Sequence, residues 1–136
     1  MNSDSENTLL YNIDMNKQEF LNGLERMNLP KEEFIILSGG SLLLRGIREE
    51  SADFDICVSK KLAKAINLYN SPKDEKGFYA PFDNCQMLDD YDRIQFDVVD
   101  GYQCETLDSI LRFKRKMKRA KDLIDIKKIE EYLSKK

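Results

Sequence analysis

The segment Ile35-Ile36-Leu37-Ser38-Gly39-Gly40-Ser41, followed after eleven residues by Asp53-Phe54-Asp55-Ile56, decides the fold of this chain. The apolar residues before the glycines predict a short buried strand, and the Gly-Gly-Ser segment predicts a turn that leads into a helix. The later segment predicts a second strand. Side chains two residues apart on a strand share one face, so Asp53 and Asp55 are expected to place two carboxylates side by side.

These two motifs together favour chemistry on phosphate groups. Neighbouring carboxylates repel each other unless a cation lies between them, and their oxygen atoms suit a hard divalent cation such as Mg²⁺. The Gly39-Gly40-Ser41 turn has no bulky side chain, so its backbone N–H groups can approach a phosphate closely. Metal-binding carboxylates beside a phosphate site indicate phosphoryl or nucleotidyl transfer. The alternative is an ordinary tight turn followed by a solvated edge strand.

The spacing of the two motifs resembles the signature of the nucleotidyltransferase superfamily that includes DNA polymerase β. In that signature a Gly-Gly or Gly-Ser pair precedes, by a gap of this length, an Asp-hydrophobic-Asp/Glu-hydrophobic segment. The run from Leu37 to Leu44, with Arg48 and Ser51 ahead of Asp53, is similar to the AbiEii-type branch of abortive-infection and toxin nucleotidyltransferases. Proteins of that branch are usually much longer, so the resemblance implies a minimal core or a chain that takes its specificity from a partner.

The resemblance also implies a third acidic residue on a later strand. That residue would complete the metal site with Asp53 and Asp55 and would accept the proton of the attacking hydroxyl. Asp97 matches this role, because it lies within the mostly apolar run 93–99, where an acidic side chain needs a partner. Alternation along the run predicts the apolar side chains on one face and Asp97 on the other. Asp100 is the alternative third carboxylate, and a solvated hairpin aspartate is the interpretation without a function.

Basic residues are concentrated near the C-terminus, although the whole chain carries a formal net charge of −3. A cluster of this kind can hold a nucleoside triphosphate or an RNA backbone. The alternative is a solvated face of an amphipathic helix, with Leu111 and Met117 directed inward. The basic residues are Arg112, Lys114, Arg115, Lys116, Lys118, Arg119 and Lys121.

Part of this cluster carries a second resemblance. Lys114, then Arg119-Ala120-Lys121-Asp122 and Asp125-Ile126, is similar to a pattern found in many small nucleotidyltransferase-like proteins. The resemblance implies that Lys114 reaches the triphosphate. It also implies that Arg119, Lys121 and Asp122 organise or line the nucleotide pocket.

Composition narrows the chemistry further. The 136 residues are 41% hydrophobic and 35% charged, and we expect residues 1–136 to form one globular domain. The sequence contains no histidine, which removes Ser-His-Asp catalysis, Cys-His catalysis and imidazole-based zinc sites. Cys57, Cys85 and Cys104 form no Cys-x-x-Cys pair, so reduced thiols in the cytoplasm are expected. The polar start and the lack of a long apolar run predict neither a secretory signal nor a membrane span.

The order of the predicted elements indicates an α/β (α+β) fold, a small mixed sheet flanked by helices. Strands are expected over residues 34–37, 53–58, 84–88 and 93–99, and the last two are expected to pair as a hairpin around the turn 89–92. Residues 1–14 are expected to form an N-terminal arm, and a helical pair is expected within 105–136. Helices are predicted over residues 16–28, from 42, and over 61–68, 107–118 and 122–133.

These features together predict an enzyme, a Mg²⁺-dependent (or Mn²⁺-dependent) nucleotidyltransferase. It would transfer a nucleoside monophosphate from a nucleoside triphosphate to an acceptor hydroxyl on a tRNA, a protein or a small molecule. The resemblance implies a toxin or abortive-infection role in the cytoplasm, with an antitoxin-like partner or a second copy of the chain. The alternative is a catalytically silent protein of the same fold that binds a nucleotide or a partner.

Overall fold

The first helix within the described residues begins where its own sequence caps it. The computed structural model describes residues 14–136, and helix α1 is Lys17–Met27. The Asn16 side chain accepts a hydrogen bond from the N–H of Glu19 at 2.9 Å, and the Glu19 carboxylate accepts one from the N–H of Asn16 at 2.9 Å. This reciprocal capping box satisfies N–H groups that a helix start leaves free. The arm predicted for residues 1–14 lies outside the described residues, apart from Asp14.

Within residues 14–136, five strands form one mixed sheet in the order β3-β2-β1-β5-β4. β1 lies in the middle, antiparallel to β2 and parallel to β5, while β3 is parallel to β2 and β4 is antiparallel to β5. The predicted α/β class with a small mixed sheet is confirmed. The strands are β1 Phe34–Ile36, β2 Phe54–Val58, β3 Cys85–Leu88, β4 Phe96–Val99 and β5 Tyr102–Glu105.

The main hydrophobic core joins the sheet to three helices. These are α1, α2 (Ser38–Leu44) and α3 (Lys60–Ala65). The inward face of α1 includes Phe20 and Leu24, which are 1% and 4% exposed. The buried side chains of this core include Phe20, Leu24, Phe34, Ile36, Leu43, Leu44, Phe54, Ile56, Val58 and Leu62.

The two predicted C-terminal helices are present, as α4 (Leu107–Met117) and α5 (Ala120–Ser134). Thr106 caps α4, since its hydroxyl oxygen accepts a hydrogen bond from the N–H of Ser109 at 3.2 Å. The inward placement predicted for Met117 is wrong, because that residue is 46% exposed. A second core cluster packs this helical pair against α2 and consists of Leu42, Ile110, Leu111 and Ile129.

The hairpin predicted between residues 84–88 and 93–99 is wrong. β3 and β4 lie at opposite edges of the sheet, and the segment that contains the 3₁₀ turn Tyr91–Arg93 connects them. β4 pairs instead with β5, which the sequence analysis did not predict, through a turn at Asp100 and Gly101. Their φ angles are 53° and 82°. Asp-Gly is a strong signal for a two-residue hairpin turn, since both positions need positive φ.

Helix α2 begins at Ser38 rather than near Leu42, so the Gly-Gly-Ser segment lies in the helix and not in a turn before it. A Cβ atom on Gly40 would lie 2.5 Å from Cζ of Phe20 and 2.7 Å from Cγ2 of Ile36. Both distances are too short for a side chain to fit. Glycine at this position therefore allows α2 to pack closely against α1 and β1.

Candidate functional site

Asp53 and Asp55 lie where the chain enters β2, and they interact electrostatically as the sequence predicted. Burial and then the negative charge of Asp53 raise the pKa of Asp55 from 3.8 to about 6. The positive charges of Lys121, Lys76 and Arg48 act in the opposite direction but do not outweigh these causes. Asp55 is thus a carboxylate that the protein makes unusually hard to ionise.

The Oδ1 atom of Asp55 is buried, and no group within residues 14–136 forms a hydrogen bond with it. A buried carboxylate oxygen without a partner is energetically costly, and the repulsion from Asp53 adds to the cost. A divalent cation bound to both residues would satisfy this oxygen and cancel the repulsion. The pair therefore fits the predicted Mg²⁺ or Mn²⁺ site.

The Ser41 hydroxyl forms its hydrogen bonds inside the protein. Ser41 is completely buried, and its Oγ atom donates to the carbonyl oxygen of Glu105 at 2.8 Å and accepts from Nη1 of Arg45. The same Nη1 atom donates to the carbonyl oxygen of Glu105 at 2.9 Å. This serine side chain therefore joins α2 to β5 rather than pointing towards a ligand.

Arg48 lies against the backbone of Gly39. A Cβ atom on Gly39 would lie 2.7 Å from Nη1 of Arg48, so any larger residue would displace the guanidinium. The Nε atom of Arg48 lies 3.9 Å from Oδ1 of Asp125 on α5, and the Arg48 side chain is 33% exposed. Its charge also acts on Asp55. Arg48 thus places a partly exposed cation between Gly39, the carboxylate pair and α5.

Lys114 is buried between two carboxylates of α5. Its Nζ atom lies 3.4 Å from Oδ1 of Asp122 and 3.0 Å from Oδ2 of Asp125. All three side chains are at least nine-tenths buried. A phosphate would have to displace one of these carboxylates to reach the ammonium group. The sequence signal for this burial is that Lys114 follows Ile110 and Leu111 on the inward face of the helix.

Arg119 and Asp122 form an ion pair at the start of α5. The Arg119 guanidinium donates to Asp122 through Nε at 2.6 Å and Nη2 at 3.0 Å, and the Arg119 N–H donates to it at 3.0 Å. These hydrogen bonds, led by that of the guanidinium, lower the pKa of Asp122 to about 2 although burial opposes the change. Lys121 is exposed, and its charge reaches Asp55. The predicted nucleotide-binding residues at the start of α5 therefore separate into an ion pair between Arg119 and Asp122 and an exposed lysine.

The register of the sheet separates Asp97 from the carboxylate pair. Residues paired across strands share a face, and a shift of one residue changes the face. The row of paired residues that contains Asp97 includes Ile56 of β2. Asp55 lies one residue before Ile56 and so faces the other side of the sheet. Asp97 instead contacts Nη2 of Arg45 at 3.1 Å, and its side chain is 63% exposed. The structure does not bring Asp97 to Asp53 and Asp55. One row across the sheet is formed by Met87, Ile56, Ile36, Cys104 and Asp97.

The alternative third carboxylate, Asp100, binds elsewhere. It lies in the turn between β4 and β5, and its carboxylate is 2.7 Å from Nζ of Lys17. Glu105 lies one position after Cys104 on β5 and so shares the face of Asp55. Its carboxylate accepts hydrogen bonds from the N–H of Ser38 at 3.0 Å and the hydroxyl of Ser109 at 2.6 Å. Glu105 was not among the residues predicted from the sequence, because β5 was not predicted.

No third acidic side chain completes the pair within the described part of the chain. Among residues 14–136, no three His, Cys, Asp or Glu side chains lie close enough together to form a metal-binding group. The carboxylates that this structure places together at the start of β2 are therefore those of Asp53 and Asp55.

An open cleft of about 550 Å³ lies beside Asp53. Phe82 forms part of its wall and is 48% exposed, so the cleft offers an aromatic surface as well as carboxylates. A cleft of this size is in the range of small-molecule sites. The lining residues are Asp53, Asp74, Ala80, Pro81, Phe82, Asp83, Asn84, Cys85 and Gln86.

Comparisons of the chain with protein-family models, with curated proteins and with solved structures found no match. The chemistry of the site is therefore inferred from its own residues.

Within residues 14–136, no helix combines the length and the apolar character that crossing a membrane requires.

Proposed function

We propose that this protein is a nucleotidyltransferase that transfers a nucleoside monophosphate from a nucleoside triphosphate to an acceptor hydroxyl. The observation that supports this proposal is the carboxylate pair, in which Asp55 keeps a buried Oδ1 atom without a hydrogen-bond partner among residues 14–136. Asp53 and Asp55 would hold Mg²⁺ or Mn²⁺. When bound, such a cation supplies positive charge that stabilises the phosphate oxygens during in-line displacement.

The residues around the pair suit an anionic substrate. Asp53 lines the open cleft, so a substrate in the cleft would meet its carboxylate, while the Oδ1 atom of Asp55 is buried. Lys121 and Arg48 bring positive charge towards Asp55. Phe82 offers a ring on which a nucleobase can stack.

The proposed reaction is a single displacement. The acceptor oxygen bonds to the α-phosphorus, the bond from that phosphorus to the bridging oxygen breaks, and pyrophosphate leaves. The hydroxyl proton passes to solvent. The motif resemblance extends the proposal to a toxin or abortive-infection role in the cytoplasm, with a tRNA, a protein or a small molecule as the acceptor. It also extends to an antitoxin-like partner or a second copy of the chain.

Transfer of a labelled α-phosphate tests the proposal. The protein is incubated with each of the four labelled nucleoside triphosphates and cell extract, with and without Mg²⁺ or Mn²⁺. We expect a labelled product with at least one nucleotide, dependent on the metal ion. Asp53→Asn and Asp55→Asn should abolish labelling, whereas Asp83→Asn, which removes an exposed charge from the same cleft, should not.

Thermal unfolding with the same nucleotides separates this function from a silent binding protein. If a nucleotide raises the unfolding temperature but no product is labelled, the chain is a catalytically silent nucleotide-binding module. If no nucleotide binds and no product forms, or if Asp55→Asn retains the full rate, the proposed function is wrong.

A further inference from the structure

We propose that Arg48 binds the phosphate groups of the nucleotide, and that Asp125 and Lys114 position its side chain. This inference rests on the proposed function in one respect, since it takes the anion at the site to be a nucleotide triphosphate. It assigns to Arg48 the contact that the sequence resemblance assigned to Lys114.

The first observation is the space that Gly39 leaves open. The Nη1 atom of Arg48 lies 2.7 Å from the point where a Cβ atom of Gly39 would be. The guanidinium therefore occupies the position of a missing side chain, directly against the backbone of α2. The same Cβ position lies 3.6 Å from Oγ of Ser51, whose hydroxyl donates to the carbonyl oxygen of Asp53 at 3.1 Å. The guanidinium therefore lies near the segment that carries the two residues that would hold the metal ion.

The second observation is how the guanidinium is held. Its Nε atom faces Oδ1 of Asp125 at 3.9 Å, while Oδ2 of Asp125 lies 3.0 Å from Nζ of Lys114. Asp125 is thus fixed from the other side by a buried cation. No acceptor within the described part of the chain takes a hydrogen bond from the Arg48 guanidinium. Arginine has five N–H donors in a planar arrangement that matches phosphate oxygens, so a guanidinium without a hydrogen-bond acceptor among residues 14–136 can bind a phosphate.

The third observation is the balance of charge. Lys114 and Arg119 face Asp122 and Asp125, so two cations and two anions cancel within the helical pair. Arg48 adds a further positive charge at the border of this neutral cluster, on a side chain that is 33% exposed. This partly exposed cation can bind an anion from solvent without breaking a buried ion pair, whereas Lys114 cannot.

Binding of inorganic tripolyphosphate with Mg²⁺, measured by isothermal titration calorimetry, tests the proposal. Arg48→Ala should weaken binding about 10- to 100-fold, as expected for the loss of a charged hydrogen bond, and added guanidinium should restore part of it. Arg115→Ala is the matched control, because Arg115 also pairs with a carboxylate of α5, at 3.2 Å from Glu130, and is exposed. It should change binding by less than about twofold.

Two further variants keep the test valid if Arg48→Ala does not fold. Arg48→Lys retains the charge but loses the planar donor arrangement, so it should bind more weakly than wild type. Gly39→Ala should displace the guanidinium and weaken binding while leaving Arg48 in place. The proposal is overturned if wild type does not bind tripolyphosphate. It is also overturned if folded Arg48 variants bind as tightly as wild type.

Comparison with the labelling assay separates this proposal from the proposed function. If no nucleotide is transferred but Arg48→Ala still loses tripolyphosphate binding, Arg48 is an anion-binding residue and the nucleotidyltransferase proposal is wrong. If transfer depends on Asp53 and Asp55 but Arg48→Ala keeps both affinity and rate, the inference about Arg48 alone is wrong.

Discussion

Replacement of Asp55 by asparagine is expected to stabilise the metal-free protein at neutral pH. Burial and the charge of Asp53 raise the pKa of Asp55 from 3.8 to about 6. Between pH 3.8 and about pH 6 the folded protein binds more protons than the unfolded chain, so the free energy of unfolding falls as the pH rises through this window. Above about pH 6 the ionised group costs at most about 3 kcal/mol, because each pKa unit corresponds to about 1.4 kcal/mol.

Urea unfolding monitored by far-UV circular dichroism measures this cost. Asp55→Asn should gain about 1–3 kcal/mol over wild type at about pH 7.5, and the gain should vanish below about pH 4, where both proteins are uncharged at this position. Asp83→Asn is the control, since Asp83 is exposed in the same cleft, and it should change the free energy of unfolding by about 0.5 kcal/mol or less.

Addition of Mg²⁺ should reverse the order of stability. A cation that binds only the folded state adds about 2.7 kcal/mol at a concentration one hundred times its dissociation constant, and Asp55→Asn should gain much less than wild type. The reasoning is refuted if Asp55→Asn is less stable than wild type at about pH 7.5, or if the two proteins show the same pH dependence.

Three further predictions concern the buried groups. Lys114→Ala should lose about 3–5 kcal/mol of stability in urea unfolding, because it leaves buried carboxylates without their cation. The exposed control Lys116→Ala should lose almost none, and equal losses would contradict the ion-pair geometry. Gly40→Ala should lose about 1–3 kcal/mol in the same assay through overpacking against Phe20 and Ile36, and an unchanged midpoint would show that α2 can move away. Burial raises the pKa of Cys85 to about 12 and of Cys104 to about 11, and it also raises the pKa of Cys57. The folded protein should therefore react slowly with a thiol reagent at about pH 8, and all three thiols should react after unfolding. Fast labelling of the folded protein would contradict this.

Local sequence signals predicted most of the elements, because the physics that creates these elements acts over a few residues. Asn16 and Glu19 lie three positions apart, so their capping box follows from the chain alone. Thr106 likewise marks the start of α4. The Asp-Gly turn that joins β4 to β5 was also present as a signal, and the failure to use it led to a wrong hairpin and to the omission of β5.

The sequence by itself predicted that Asp53 and Asp55 lie close together, since the two-residue period of an extended chain is a property of the backbone. The tertiary structure alone decided the side of the sheet on which Asp97 lies, because that side depends on the pairing of distant strands, and a one-residue shift in register reverses it. It also decided which cations are buried in ion pairs and which stay partly exposed to solvent. Lys114 and Arg48 are both basic in the sequence, but Asp122 and Asp125 neutralise Lys114 in the interior and leave the Arg48 guanidinium partly open to solvent.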